Sequence, residues 1–227
     1  MNIRSFAEEI DARIAQYDLL CHPFYQAWSM GKLNRQEIAD YACDYYSHVA
    51  AFPQYLDALQ RRLPDGEVRR MVLENKNDEE APEARSHADL WLDFAEGMGA
   101  DRSQAAQTKP VVEISELVSL FQKIASSGTT VEALAAFYAY ESQVPRVAAE
   151  KERGLKENYG ADERSSYYFT LHKAYDIVHS QTWLRLLTEE VGADPVARES
   201  ALNAAELAAK SLWRALDGIE SRRLAAA

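Results

Sequence analysis

Three ionisable side chains stand on one stripe of a single helix-forming run. Residues 171–180 read LHKAYDIVHS, which places His172, Asp176 and His179 at i, i+4 and i+7. At 3.6 residues per turn these positions point to about 0°, 40° and −20° around the axis. A helix of a globular protein normally turns an apolar stripe to the core. Ionisable groups on that stripe are costly to bury unless they are paired, hydrogen-bonded or bound to a metal. One helix cannot complete such a site, so the stripe demands partner groups from neighbouring elements.

The rest of the chain reads as those neighbours. It has 227 residues with only 9 Gly and 7 Pro, and it is rich in Ala, Leu, Glu and Arg, which favours helices. No alternating apolar–polar strand pattern competes. About seven or eight helices can be marked. The first spans residues 3–17 and a short second spans 22–30, with Pro23 in its first turn. Asn34, followed three residues later by Glu37, forms a capping box for a third that runs to about Leu63, kinked at Pro53. Asp65-Gly66 opens a fourth that ends near Met98, where Gly97 and Gly99 supply the stop, with a bend at Pro82. A short helix at 103–107 follows, then one from Pro110 to Ser126-Ser127-Gly128. Thr130 caps the next, which continues to about Tyr159 through a disturbance at Pro145. The stripe helix spans 162–191, and Asp194-Pro195 starts the last, ending near Arg223. Long helices joined by short loops make an all-α bundle. No repeat, low-complexity stretch or linker divides residues 1–227, so a single domain is expected.

Net charge is −11. With no basic stripe, neither nucleic acid nor an anionic membrane is an expected partner. No apolar run is long enough to span a bilayer, and the acid-studded opening MNIRSFAEEIDARIAQYD is not a secretory signal. Cys21 and Cys43 imply no disulfide framework and read as small buried hydrophobes. The cytoplasm is the expected location.

Only five histidines are present: His22, His48, His87, His172 and His179. Glu80 precedes His87 by seven residues, a step of about −20° on a continuous helix. Glu79 and Glu83 are not separated from Glu80 by geometry alone. Glu141 follows an apolar stretch in AAFYAYESQVPR and is a candidate to point inward. Glu80, His87, Glu141, His172, Asp176 and His179 together offer three imidazoles and three carboxylates. That set suits iron or manganese, and bundle cores host such pairs of metals. The three acids nearly neutralise two divalent ions. The ferritin-like Glu-x-x-His pair is absent, so this is a different bundle class. The plainer readings are a solvated face or a structural His–Asp pair for the stripe, and a solvated acidic run for ENKNDEEAPEARSH. His22 and His48 read as ordinary core or surface histidines.

With HPFYQAW at 22–28, DEE…H…LWLDFAEGMG at 78–99, YAYESQVP at 138–145 and HKAYDIVH at 172–179, the chain resembles the CADD-like group of heme-oxygenase-like di-iron oxidases. That group is named for a Chlamydia protein associating with death domains. TenA and PqqC are more distant relatives in fold. The resemblance implies a seven-to-eight-helix heme-oxygenase-like bundle with a di-metal site in its core, holding two irons or an iron–manganese pair. Its spacing favours Glu80 over Glu79 and Glu83. The cysteine nucleophile of TenA-type thiaminases has no clear counterpart here, and the six ligands argue against metal-free PqqC-type chemistry. The resemblance further implies p-aminobenzoate production for folate synthesis, with dioxygen and an external reductant as co-substrates. In that group the protein's own tyrosine becomes the ring and a lysine of the same chain supplies nitrogen. Tyr25 and Lys151 match those positions, and Tyr41 and Tyr140 match aromatics near that group's site and are candidates to relay an electron or radical. Two other readings remain open: a di-iron oxidase acting on a diffusible amino acid or fatty acid, and a non-enzymatic helical interaction protein. Monomer and homodimer are both compatible with the sequence.

Overall fold

The computed structural model describes residues 5–81 and 84–226. Eleven α-helices account for most of them: α1 (Phe6–Ile14), α2 (Pro23–Ser29), α3 (Arg35–Arg62), α4 (Glu67–Glu80), α5 (His87–Met98), α6 (Arg102–Gln107), α7 (Val112–Ser127), α8 (Thr130–Glu141), α9 (Val144–Asn158), α10 (Glu163–Val191) and α11 (Pro195–Ala225). Two 3₁₀ turns join α1 to α2, and no strand occurs among the described residues. The expected capping box at Asn34 and Glu37 is present, with the Glu37 backbone N–H donating to Asn34 Oδ1 at 2.9 Å. α3 runs on through Pro53. Thr129 rather than Thr130 caps α8, with Glu132 completing its box.

Two expected long helices are each broken in two. The run expected from 66 to 98 stops at Ala81, whose φ of 39° is left-handed, and restarts at His87 behind an N-cap hydrogen bond to Ser86. The bend expected at Pro82 lies outside the described residues. The run expected from 130 to 159 breaks at Ser142 and Gln143, and Pro145 lies in the first turn of α9. Proline lacks the N–H that an interior position must donate, whereas a first turn leaves that group unpaired anyway. Each break falls beside a site residue, and the two breaks turn the nine spans marked in the sequence into eleven helices.

α10 is the hub. It packs against α5, α8 and α9, while α3 packs against α4, α5 and α7, and α11 closes the far side against α1, α7 and α8. Close approach is sterically enforced at two glycines. A Cβ on Gly97 would stand 2.2 Å from Ser165 Cβ where α5 meets α10, and one on Gly154 would stand 2.8 Å from the Trp28 ring where α9 meets α2. Removing the side chain lets these pairs of helices sit nearer than any Cβ contact allows. Cys21 is exposed and Cys43 half-buried, so neither is the core hydrophobe the sequence predicts. No helix among the described residues is long and apolar enough to cross a membrane.

Candidate metal centre

The stripe on α10 faces inward as a buried row: His172, Asp176 and His179 are 3%, 2% and 9% exposed. Three other helix ends deliver the rest. Glu79 comes from the last turn of α4, His87 is the first residue of α5, and Glu141 is the last of α8. The six form two groups. Glu79, His87 and His172 each offer a ligand atom, all within 4.8 Å of one another, and Glu141, Asp176 and His179 do the same.

Glu80 is not part of this cluster, which corrects the expectation. Its carboxylate lies 3.1 Å from Lys76 Nζ on the outside of α4. The seven-residue argument assumed one continuous helix through His87. The break at Ala81 cancels that register, and the inward position on α4 falls to Glu79, 5% exposed. Glu83 lies outside the described residues.

The imidazoles are held so that lone pairs face the acids. His172 Nδ1 sits 2.8 Å from the Tyr168 carbonyl oxygen, which can only accept, so Nδ1 carries the proton. His172 Nε2 then turns towards Glu79 Oε1 at 4.0 Å. His179 Nε2 lies 3.0 Å from Asp78 Oδ2, leaving Nδ1 3.5 Å from Asp176 and 3.8 Å from Glu141. His87 Nδ1 is 2.9 Å from Glu79 Oε2. That contact is close enough for charge attraction but lacks hydrogen-bond alignment. The Nδ1 atoms of His87 and His179 are both buried without a hydrogen-bond partner. Orphaned buried nitrogens normally carry a substantial penalty. One stands in each triad, flanked by carboxylate oxygens and placed to bind a metal, and in His179 the other ring nitrogen is fixed by an outer partner, Asp78. The residues therefore fit a metal at each triad.

Electrostatics agree. Burial opposes a charge on His179, but the carboxylates of Asp176, Glu141 and Asp78 outweigh it and push its pKa upward. Burial pushes the Glu141 carboxyl up, against the His179 charge. Burial raises Glu79, yet the neighbouring histidines, His87 first, bring it below the usual carboxylate value. The acids thus recruit positive charge into the core, a place that a divalent cation takes with release of protons. Glu141 is aimed by two donors: Trp183 Nε1 at 2.6 Å and Asn75 Nδ2 at 3.0 Å.

Tyr25, Tyr41 and Lys151 meet in a second buried pocket. The hydroxyls of Tyr25 and Tyr41 are 3.0 Å apart, and Lys151 Nζ donates to the Tyr41 hydroxyl. Nζ lies 4.4 Å from the Tyr25 ring centre and 4.7 Å from that of Tyr41. Tyr140 stands between the two regions. With Tyr168 it lines both a 10 Å³ void beside Glu79, Glu141, His172 and Asp176 and a 30 Å³ void beside Tyr25 and Lys151. His22 and His48 stay outside the cluster. His22 caps α2, and His48 is wedged among Tyr45, Phe121 and Tyr140, where burial pushes its pKa down to about 3.

Sequence reasoning missed Asn75, Asp78, Tyr168 and Trp183. Two of them carried a readable signal. Tyr168 is four residues before His172 and Trp183 four after His179, so the stripe extends one turn each way.

An all-α bundle closing over two carboxylate–imidazole triads defines a metal-dependent oxidoreductase of the heme-oxygenase-like fold. The chain belongs to the family of iron-containing redox enzymes, whose pattern matches residues 39–213. Among its relatives is a 4-aminobenzoate synthase of Chlamydia pneumoniae, 38% identical over 212 residues covering 93% of each chain. Another 4-aminobenzoate synthase, from Nitrosomonas europaea, is 37% identical and covers 96% of this chain and 92% of its own. A TenA homologue from Pseudomonas syringae superposes with a TM-score of 0.84 at 19% identity, over 96% of this chain and 93% of that one. At that identity the likeness speaks for the fold alone.

Proposed function

We propose that this chain makes 4-aminobenzoate, as its relatives in Chlamydia pneumoniae and Nitrosomonas europaea are named for doing, and that it does so from its own residues. Tyr25 is the ring and Lys151 the source of nitrogen. Tyrosine's ring with its Cβ has the carbon count of an aminobenzoate. The Cα–Cβ bond must break, Cβ must be oxidised to a carboxylate, and nitrogen must replace the hydroxyl at the para carbon.

One observation carries this reading: Lys151 Nζ is buried against the face of Tyr25. The side chain is enclosed by Trp28, Tyr45, Trp91 and Phe169, and among the described residues no carboxylate pairs with it. Burial drives Lys151 well below the ordinary lysine range. A neutral amine has a free lone pair and is nucleophilic. Burial likewise holds the Tyr25 phenol above its ordinary value, so it keeps its proton until it is oxidised. Tyr41 fixes both groups, and Tyr140 and Tyr168 separate them from the triads and exclude bulk water. Glu79, His87 and His172 would hold one metal ion, and Glu141, Asp176 and His179 the other. When bound, two irons or an iron–manganese pair supply oxidising power from dioxygen and an external reductant.

The 30 Å³ void next to Tyr25 and Lys151 holds about one water molecule. A diffusible amino acid or fatty acid does not fit there, which favours the self-derived product over an external substrate. The test uses protein grown with ring-labelled tyrosine, loaded with iron and manganese, reduced and exposed to oxygen. Labelled 4-aminobenzoate is expected at no more than one per chain. Tyr25→Phe should give none while retaining its metal. Unlabelled product over many turnovers, or normal product from Tyr25→Phe, overturns the self-sacrificing mechanism.

A further inference from the structure

A surface cleft of about 670 Å³ ends on His87. Its wall carries Asp78 from α4 and Glu163, Tyr167 and Tyr175 from one face of α10. The arginines that also line it, Arg85 and Arg164, are turned to Asp93, a buried carboxylate they share with Arg102. Arg102 and Arg164 also meet Glu96, and Arg102 meets Asp89, so the three cations are matched by three carboxylates, while the Asp78 side chain stays 43% exposed. Asp78 is also the group that meets His179 Nε2 at 3.0 Å. Above the cluster lies the ring of Tyr175. Its centre is 6.4 Å from that of His87 and 6.1 Å from that of His179, edge-on to both. One exposed side chain thus covers one histidine of each triad.

We propose that divalent cations reach both triads through this cleft, with Asp78 as the outer docking carboxylate and Tyr175 as the side chain that must swing aside. The inference rests on the two-metal reading of the triads. A cation arriving from water meets Asp78 before any ligand. Hard divalent ions are captured by carboxylate oxygen while they still hold water. From Asp78 the first groups inward are the His179 and His87 rings, whose orphaned Nδ1 atoms face the acids. The remaining ligands lie deeper: Glu141 is 1% exposed and Asp176 2%. Tyr175 itself is 42% exposed, so its ring can rotate outward without opening the core.

The experiment follows the rate at which anaerobic apo-protein takes up Co(II), read from the visible bands of the bound ion, and the rate of release to a chelator. Stoichiometry comes from elemental analysis. Tyr175→Ala should speed both uptake and release about tenfold with the same number of ions bound. Tyr175→Trp should slow both, and Asp78→Asn should slow uptake. Uptake and release rates unchanged in both Tyr175 variants would place the route elsewhere and overturn the inference. A wild-type protein that binds no stoichiometric Co(II) would instead sink the metal-centre reading on which it rests. Melting curves verify that each exposed-site variant is folded.

Discussion

Replacing Lys151 with methionine tests the chemistry at the centre of the proposal through folding stability alone. The side chain is 6% exposed, and its environment is aromatic. Burial holds the folded-state pKa well below the ordinary value, while the unfolded chain returns to about 10.4. Between those values the unfolded chain binds one more proton at this residue than the folded chain does. Stability therefore rises with pH through that window, by about 1.4 kcal/mol per pH unit. Below the folded value the full penalty is present; above the unfolded value it is gone. Methionine has a similar volume and no charge, so the variant lacks this slope. Urea unfolding of metal-free protein, wild type and Lys151→Met, should show the variant's advantage shrinking as pH rises towards the unfolded value. Other groups titrate equally in both proteins and cancel in the difference. Parallel stability curves would mean that Lys151 is charged when folded, and the neutral nucleophile would have to be abandoned. The same variant should make no 4-aminobenzoate.

Three further outcomes follow from the geometry. Glu79→Gln should lose metal from the triad with His87 and His172, whereas Glu80→Gln, which removes one of the two carboxylates beside Lys76, should bind metal as wild type does; elemental analysis giving the reverse would restore the register that the helix break cancels. Trp183→Phe removes the 2.6 Å donor to Glu141 and should weaken metal binding by about 10–100-fold in competitive titrations. Gly97→Ala puts a methyl 2.2 Å from Ser165 Cβ and should cost about 1–3 kcal/mol, seen in calorimetry as a Tm lower by about 2–4 °C per kcal/mol; an unchanged Tm would show that α5 and α10 have slack.

Much of the fold is legible locally. The capping box at Asn34, the Pro23 first turn and the start of α10 at Asp162 each depend on residues within one helical turn, and each appears where the sequence places it. The breaks are less legible. Pro82 and Pro145 announce a disturbance, but whether a helix bends or ends depends on what its halves pack against. That uncertainty passed directly into the site: Glu79 and Glu80 differ by about 100° on α4, and only the true end of the helix decides which one faces His87. Asp78 and Asn75 were hidden for the same reason, being outer partners whose roles depend on the residues they meet.

The sequence by itself determined an all-helical chain and a polar stripe on α10, because helical periodicity and capping are short-range. It also placed Glu141 at the end of an apolar run, where inward burial followed from its neighbours. Tertiary structure decided which carboxylate of 78–80 completes the first triad and how the imidazoles turn their lone pairs. It also brought Lys151, from α9, against Tyr25 of α2. These contacts join residues far apart in the chain, and the direction of a buried side chain is set by the elements that surround it.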